Sequence, residues 1–69
     1  MPWKIWSQSG SPSKDVSRTL GIEHWQLRAA IHKIKRKAGL NPPDDVTIWN
    51  DGSVTDEHGD LIGVIHDEI

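Results

Sequence analysis

Arg28, His32, Lys35 and Arg36 are spaced so that a helix would gather them within two turns on one side. Guanidinium and ammonium groups neutralise phosphate, and an imidazole set among them can transfer a proton near neutral pH. Cleavage of RNA needs little more than this. A base removes the proton of the 2′-OH, an acid protonates the leaving 5′-oxygen, and cations stabilise the charge that builds on phosphorus. His66, at the end of an apolar run and beside Asp67, is the second acid–base candidate, with Asp67 placed to fix its tautomer. His32 and His66 together would supply the acid and the base, with Lys35 beside them, while Arg28, Lys35 and Arg36 would hold RNA. A solvated basic face and an exposed strand-end histidine account for the same residues without any chemistry. His24 and His58 fall in a turn between helices and at a hairpin tip. The four histidines show no His-x3-His spacing and the chain has no cysteine, so neither a metal nor another cofactor is expected.

The elements that must position these residues can be read from hydrophobic period and punctuation. Ser13 is a natural N-cap for a first helix in which Val16 and Leu20 share a face, and Gly21 ends it. A second helix is predicted from about His24 to Ala38. Leu27, Ala30, Ile31, Ile34 and Ala38 form its apolar stripe, with Arg28, His32, Lys35 and Arg36 on the adjoining flank and Lys33 and Lys37 on the far side. Gly39 stops this helix, and Asn41-Pro42-Pro43 prevents its restart. From Asp44 the period changes to two. Strands at Val46–Trp49, Val54–Asp56 and Leu61–His66 are separated by an Asp51-Gly52 hairpin turn and by a second turn at Glu57–Asp60. The expected fold is therefore α+β, two N-terminal helices followed by a three-stranded antiparallel β-meander. Residues 1–69 form a single small domain: a leader and linker at 1–12, a helical hairpin at 13–40 and the meander at 44–67.

A chain this short buries only about 60% of the surface its unfolded form exposes. With no Phe or Tyr, the four tryptophans Trp3, Trp6, Trp25 and Trp49 are expected to fill much of the core, stacking on nucleic-acid bases being the sharper alternative for any one of them. There is no apolar run near about 18 residues, so no membrane span is expected, and the N-terminus lacks the apolar stretch of a signal peptide.

Charge is divided unevenly along the chain. Residues 1–40 carry all eight Lys and Arg and two acids, a net of +6, whereas residues 41–69 carry eight acids and neither Lys nor Arg, a net of −8. Such asymmetry points to a charged polymer or a charged partner, although the two halves could also neutralise each other across the fold. The first half has helix-turn-helix character as well, with Val16, Leu20, Gly21, Ile22, Leu27 and Ile31 near the spacings of that motif. The second helix would then be a recognition helix and the meander a wing. A wing with eight acids would be repelled by DNA phosphate.

Four stretches carry a family resemblance: Ser11 to Ile22, Ala30-Ile31-His32-Lys33-Ile34-Lys35, Asp45 to Val54, and Gly59 to Asp67. Together they resemble the C-terminal toxin domains of bacterial polymorphic toxins, the tips of Rhs-type and contact-dependent inhibition effectors. The resemblance spans roughly residues 11–68 and is most specific at 30–35 and 61–67. Val64 departs from the pattern, which has a polar residue after Ile-Gly. Many such tips are metal-independent ribonucleases, like the colicin-type tRNases. The resemblance thus implies cleavage of RNA, possible tRNA included, in a competitor's cytoplasm after delivery within a larger secreted effector. It also implies a cognate immunity protein that blocks the site, and it carries catalytic roles to His32, Lys35 and His66. The alternative is a helix-turn-helix nucleic-acid-binding module without catalysis.

Overall fold

The structure is a computed structural model that describes residues 2–8, 12–41 and 44–69. Met1, the middle of the expected linker (9–11) and the Pro42-Pro43 block lie outside the described residues.

A strand, β1 (Lys4–Gln8), comes first, followed by helices α1 (Lys14–Leu20) and α2 (His24–Ala38). Strands β2 (Val46–Trp49), β3 (Ser53–Thr55) and β4 (Leu61–Val64) come next, and the chain ends in a 3-10 turn, Ile65–Glu68. The four strands form one sheet in the order β1-β2-β3-β4, every neighbouring pair antiparallel.

This corrects the expected α+β layout in two ways. The sheet has four strands rather than three, and the helices lie between the first and second strands rather than at the N-terminus. The segment read as a leader is β1, which pairs with β2 from Lys4↔Trp49 to Gln8↔Val46 with an irregularity between Lys4 and Trp6. Its first residues are held as well. The Trp3 N–H donates to Asn50 Oδ1 at 2.8 Å, and the Asn50 N–H donates to the Trp3 carbonyl at 2.9 Å. The third meander strand is also shorter than expected. It stops at Val64, and His66 stands on the 3-10 turn.

Both helices end as their glycines require. Gly21 and Gly39 take the left-handed conformation at φ 71° and 75°, which returns their backbone N–H groups to the last helical carbonyls. Ser13 occupies the N-cap position of α1 without a side-chain cap bond. At the start of α2, the Glu23 N–H donates to Gln26 Oε1 at 3.0 Å, one half of a capping box.

The core lies between the helices and one face of the sheet. It consists of Val16, Leu20, Leu27, Ala30, Ile31, Ile34, Val46, Ile48, Val54 and Ile65. Burial alternates along β2, with Val46 and Ile48 inward and Thr47 and Trp49 half-buried on the other face. Helix α2 approaches the sheet closely at Gly63, where a Cβ would come within 2.8 Å of Ile34 Cγ1, so the glycine is a packing requirement. None of the four tryptophans is fully buried. Trp6 packs at the core edge, Trp49 donates from Nε1 to Thr55 Oγ1 at 3.0 Å, and Trp3 and Trp25 are 63% and 68% exposed. Among the described residues, the buried hydrophobic side chains are all aliphatic.

Candidate nucleic-acid interface

Helix α2 carries the site candidates on fifteen residues of regular helix. Its packed side consists of Leu27, Ala30, Ile31, Ile34 and Lys35, which press on the sheet, on α1 and on the 3-10 turn. At about 100° per residue, Arg28, His32, Trp25 and Arg36 fall within about 80° of one another on the side turned away from that stripe. All four are exposed. Arg28 stands one turn before His32 and Arg36 one turn after it, each about 6 Å along the helix axis. Among the described residues, no hydrogen bond or ion pair to another side chain occupies Arg28, His32 or Arg36.

Lys35 departs from the expected arrangement. It is 5% exposed, within the packed side of α2, and does not join the open flank with Arg28 and Arg36. The reason is angular. Lys35 lies between Ile31 and Arg28 around the helix, at the border of the apolar stripe, where a long aliphatic stem packs readily. Ala38, expected in the stripe, is exposed instead at the helix end. Lys33 and Lys37 are engaged on a third side. Lys37 Nζ pairs with Glu68 Oε1 at 2.6 Å, and Lys33 Nζ donates to the Glu68 carbonyl at 3.4 Å.

His66 is placed away from His32. Its Nε2 lies 3.3 Å from the Leu20 carbonyl at the C-terminal end of α1. A carbonyl oxygen only accepts, so this nitrogen carries the proton and donates. The Leu20 carbonyl thus fixes the ring where Asp67 was expected to do so; Asp67 is exposed. The 3-10 turn bearing His66 meets α2 on the Lys33 and Lys37 side, about 100° or more around the helix from His32. The structure therefore brings His32 together with Arg28, Arg36 and Trp25, and brings neither Lys35 nor His66 into that group. Trp25 was the member that sequence reasoning missed. The signal was available, because Trp25 lies three and seven residues before Arg28 and His32.

The helical hairpin itself is present. Ser17, 4% exposed, sits inside α1 where a small residue permits close helix packing, and Gly21 opens a short turn into α2. Elsewhere, a cavity of about 140 Å³ is lined by Leu40, Asp44, Asp45, Asp56, Glu57 and His58. Two of its four carboxylates are committed to local turns. Asp44 Oδ2 accepts from the Asn41 N–H at 2.9 Å, and Asp56 Oδ1 accepts from the His58 and Asp60 N–H groups at 2.9 and 3.0 Å. Among the described residues, no three His, Cys, Asp or Glu side chains converge to hold a metal ion, and no helix is long and apolar enough to cross a membrane.

No family model, curated protein or solved structure matches the chain.

Proposed function

We propose that this chain is an RNA-cleaving toxin domain whose substrate lies along the outer side of α2. The observation that carries the reading is the exposed His32 with Arg28 one turn before it and Arg36 one turn after it, none of the three side chains having a hydrogen-bond or ion-pair partner among the described residues. Two guanidinium groups can grip a phosphate between them while the imidazole takes the proton of the 2′-OH and, as the imidazolium so formed, returns it to the leaving 5′-oxygen. His32 is the acid–base residue in this reading and Arg28 and Arg36 bind phosphate. The substrate's own 2′-OH is the nucleophile, so the chemistry asks for no metal. The toxin context rests on the resemblance of residues 11–68 to polymorphic-toxin tips. It brings with it delivery as part of a larger effector, action in the target cell's cytoplasm, and a cognate immunity protein. The acidic half, eight carboxylates without a Lys or Arg, suits a partner that is basic on its facing side.

The test is incubation of the purified domain with total RNA and with tRNA in EDTA, read on denaturing gels. Discrete fragments ending in 2′,3′-cyclic phosphate are expected. Activity that disappears on chelation and returns with a divalent ion would overturn the metal-free mechanism.

A second reading has an observation of its own. Buried Ser17, the left-handed Gly21 and fully buried Leu27 support a helix-turn-helix reading of the hairpin, with α2 as the helix that would enter a groove. In that case duplex DNA would bind with a steep salt dependence and no RNA would be cut.

A further inference from the structure

We infer that Trp25 is a stacking platform for an unpaired base of the RNA strand, placed at one end of the α2 site. The inference rests on the RNA-facing reading of α2 and adds to it a preference for single-stranded substrate.

Trp25 is 68% exposed in a domain whose buried hydrophobic side chains, among the described residues, are all aliphatic. An indole left in water forgoes more burial than any other side chain, so its position asks for an explanation. That position is not random with respect to charge. Around the helix it falls between His32 and Arg36, and along the helix it precedes His32 by two turns, about 10 Å. The outer side of α2 therefore runs from an open aromatic face at its start, past Arg28, to His32 and then Arg36. Cations that track a backbone and an aromatic ring that receives a base form the usual combination for gripping single strands. The phosphate held at His32 and the base on Trp25 would then belong to neighbouring positions of one extended strand. A base inside a duplex has both faces covered by its neighbours and cannot stack on Trp25, so paired RNA forfeits this contact. The acidic cavity residues Asp44, Asp45, Asp56 and Glu57 belong to the other half of the chain and offer phosphate no attraction.

The experiment is a fluorescence-anisotropy titration with a labelled 2′-O-methyl RNA dodecamer, which lacks the 2′-OH nucleophile and so reports binding alone. It is run single-stranded and annealed to its complement, and again with a duplex DNA of the same sequence. The proteins are the parent, Trp25→Phe, Trp25→Ala and the double variant Arg28→Ala/Arg36→Ala. Trp25→Ala is expected to weaken single-strand binding about 5- to 100-fold, the range for loss of one stacked base. Its salt slope should stay at the parent value, and its duplex binding should hardly change. Trp25→Phe should stay within about 3-fold of the parent, because a phenyl ring still stacks. The arginine variant should lose affinity and salt slope together. Parent-like binding by Trp25→Ala beside weakened binding by the arginine variant would overturn the stacking role and leave the RNA face standing. Parent-like binding by all variants would overturn the RNA face itself. Tighter binding to duplex DNA than to single-stranded RNA, lost in Trp25→Ala, would overturn the inference in favour of a groove-reading helix.

Discussion

The imidazole of His66 lies directly over the backbone of Gly52, so that a Cβ on the glycine would stand 2.7 Å from His66 Nδ1. The neighbouring Ile65 N–H donates to the Gly52 carbonyl at 2.8 Å, and Gly52 has φ +90°. The β2–β3 turn, the terminal 3-10 turn and the end of α1 thus meet at one histidine, which bonds to Leu20 on its other side. Gly52→Ala is expected to lose at least about 2 kcal/mol, combining left-handed backbone strain with side-chain overlap. His66→Ala in the same chain should relieve only the overlap. Urea unfolding of the two single variants and the double variant should show a favourable coupling of about 1 kcal/mol. Simple additivity would mean that the ring moves aside freely.

Catalysis and structure should separate between the two histidines. His32→Ala removes an exposed side chain and should change stability by no more than about 0.5 kcal/mol. RNA cleavage should nevertheless fall at least about 100-fold, with His32→Gln no better, because an amide does not titrate near neutral pH. His66→Ala should do the reverse, lowering the urea midpoint while the stable fraction retains cleavage. Equal rates for His32→Ala and the parent would end the catalytic reading of α2.

The cations of α2 should divide by side as well. Lys37→Ala breaks the pair with Glu68, whose lysine is largely exposed, and should cost no more than about 1 kcal/mol, less in high salt. Arg28→Ala and Arg36→Ala should leave the urea midpoint alone while reducing RNA affinity, each lowering the salt slope by about one unit or less. A Lys37→Ala variant that matched them in RNA binding would show that the charge acts diffusely.

Acid should loosen the hairpin turn only below the usual carboxylate range. Asp51 accepts hydrogen bonds from the Ser53 backbone N–H and hydroxyl, which hold its carboxyl below the usual 3.8. The folded state therefore binds this proton less readily than the unfolded chain. The contribution is fully present above the unfolded value and is lost as pH falls through the lower, folded value. The Ser53 amide resonance, followed by NMR as pH is lowered from 5 to 2 in the parent and in Asp51→Asn, provides the check. The parent should show a titration midpoint below the usual value, and the variant none.

What could be read from the sequence was what depended on near neighbours. The α2 stripe at Leu27, Ala30, Ile31 and Ile34, the glycine stops at Gly21 and Gly39, and the Asp51-Gly52 turn were all legible because period and punctuation act within a few residues. β1 was not. Lys4–Gln8 sets its apolar residues Ile5 and Trp6 side by side instead of alternating them, and its pairing partner, Val46–Trp49, lies some forty residues away. The site shows the same division. That Arg28, His32 and Arg36 share a side follows from helical geometry alone. Whether Lys35 falls inside or outside the stripe, and where the ring of His66 turns, depends on the 3-10 turn and α1, which sequence spacing does not place.

β1 also sets the order in which the domain can be assembled. Within the domain, Ile5 and Trp6 are synthesised before the strand they join, Val46–Trp49, so they have no sheet to pair with until it has followed. Bringing the ends of that loop together costs about 3 kcal/mol of chain entropy, whereas the helical hairpin and the β2–β3–β4 turns close over a few residues. The edge strand should therefore dock last, as a clasp on a body that already has its helices and meander in place. Between the synthesis of β1 and that of β2 the nascent chain would carry an unpaired Trp6, open to chaperones or to another chain's sheet edge.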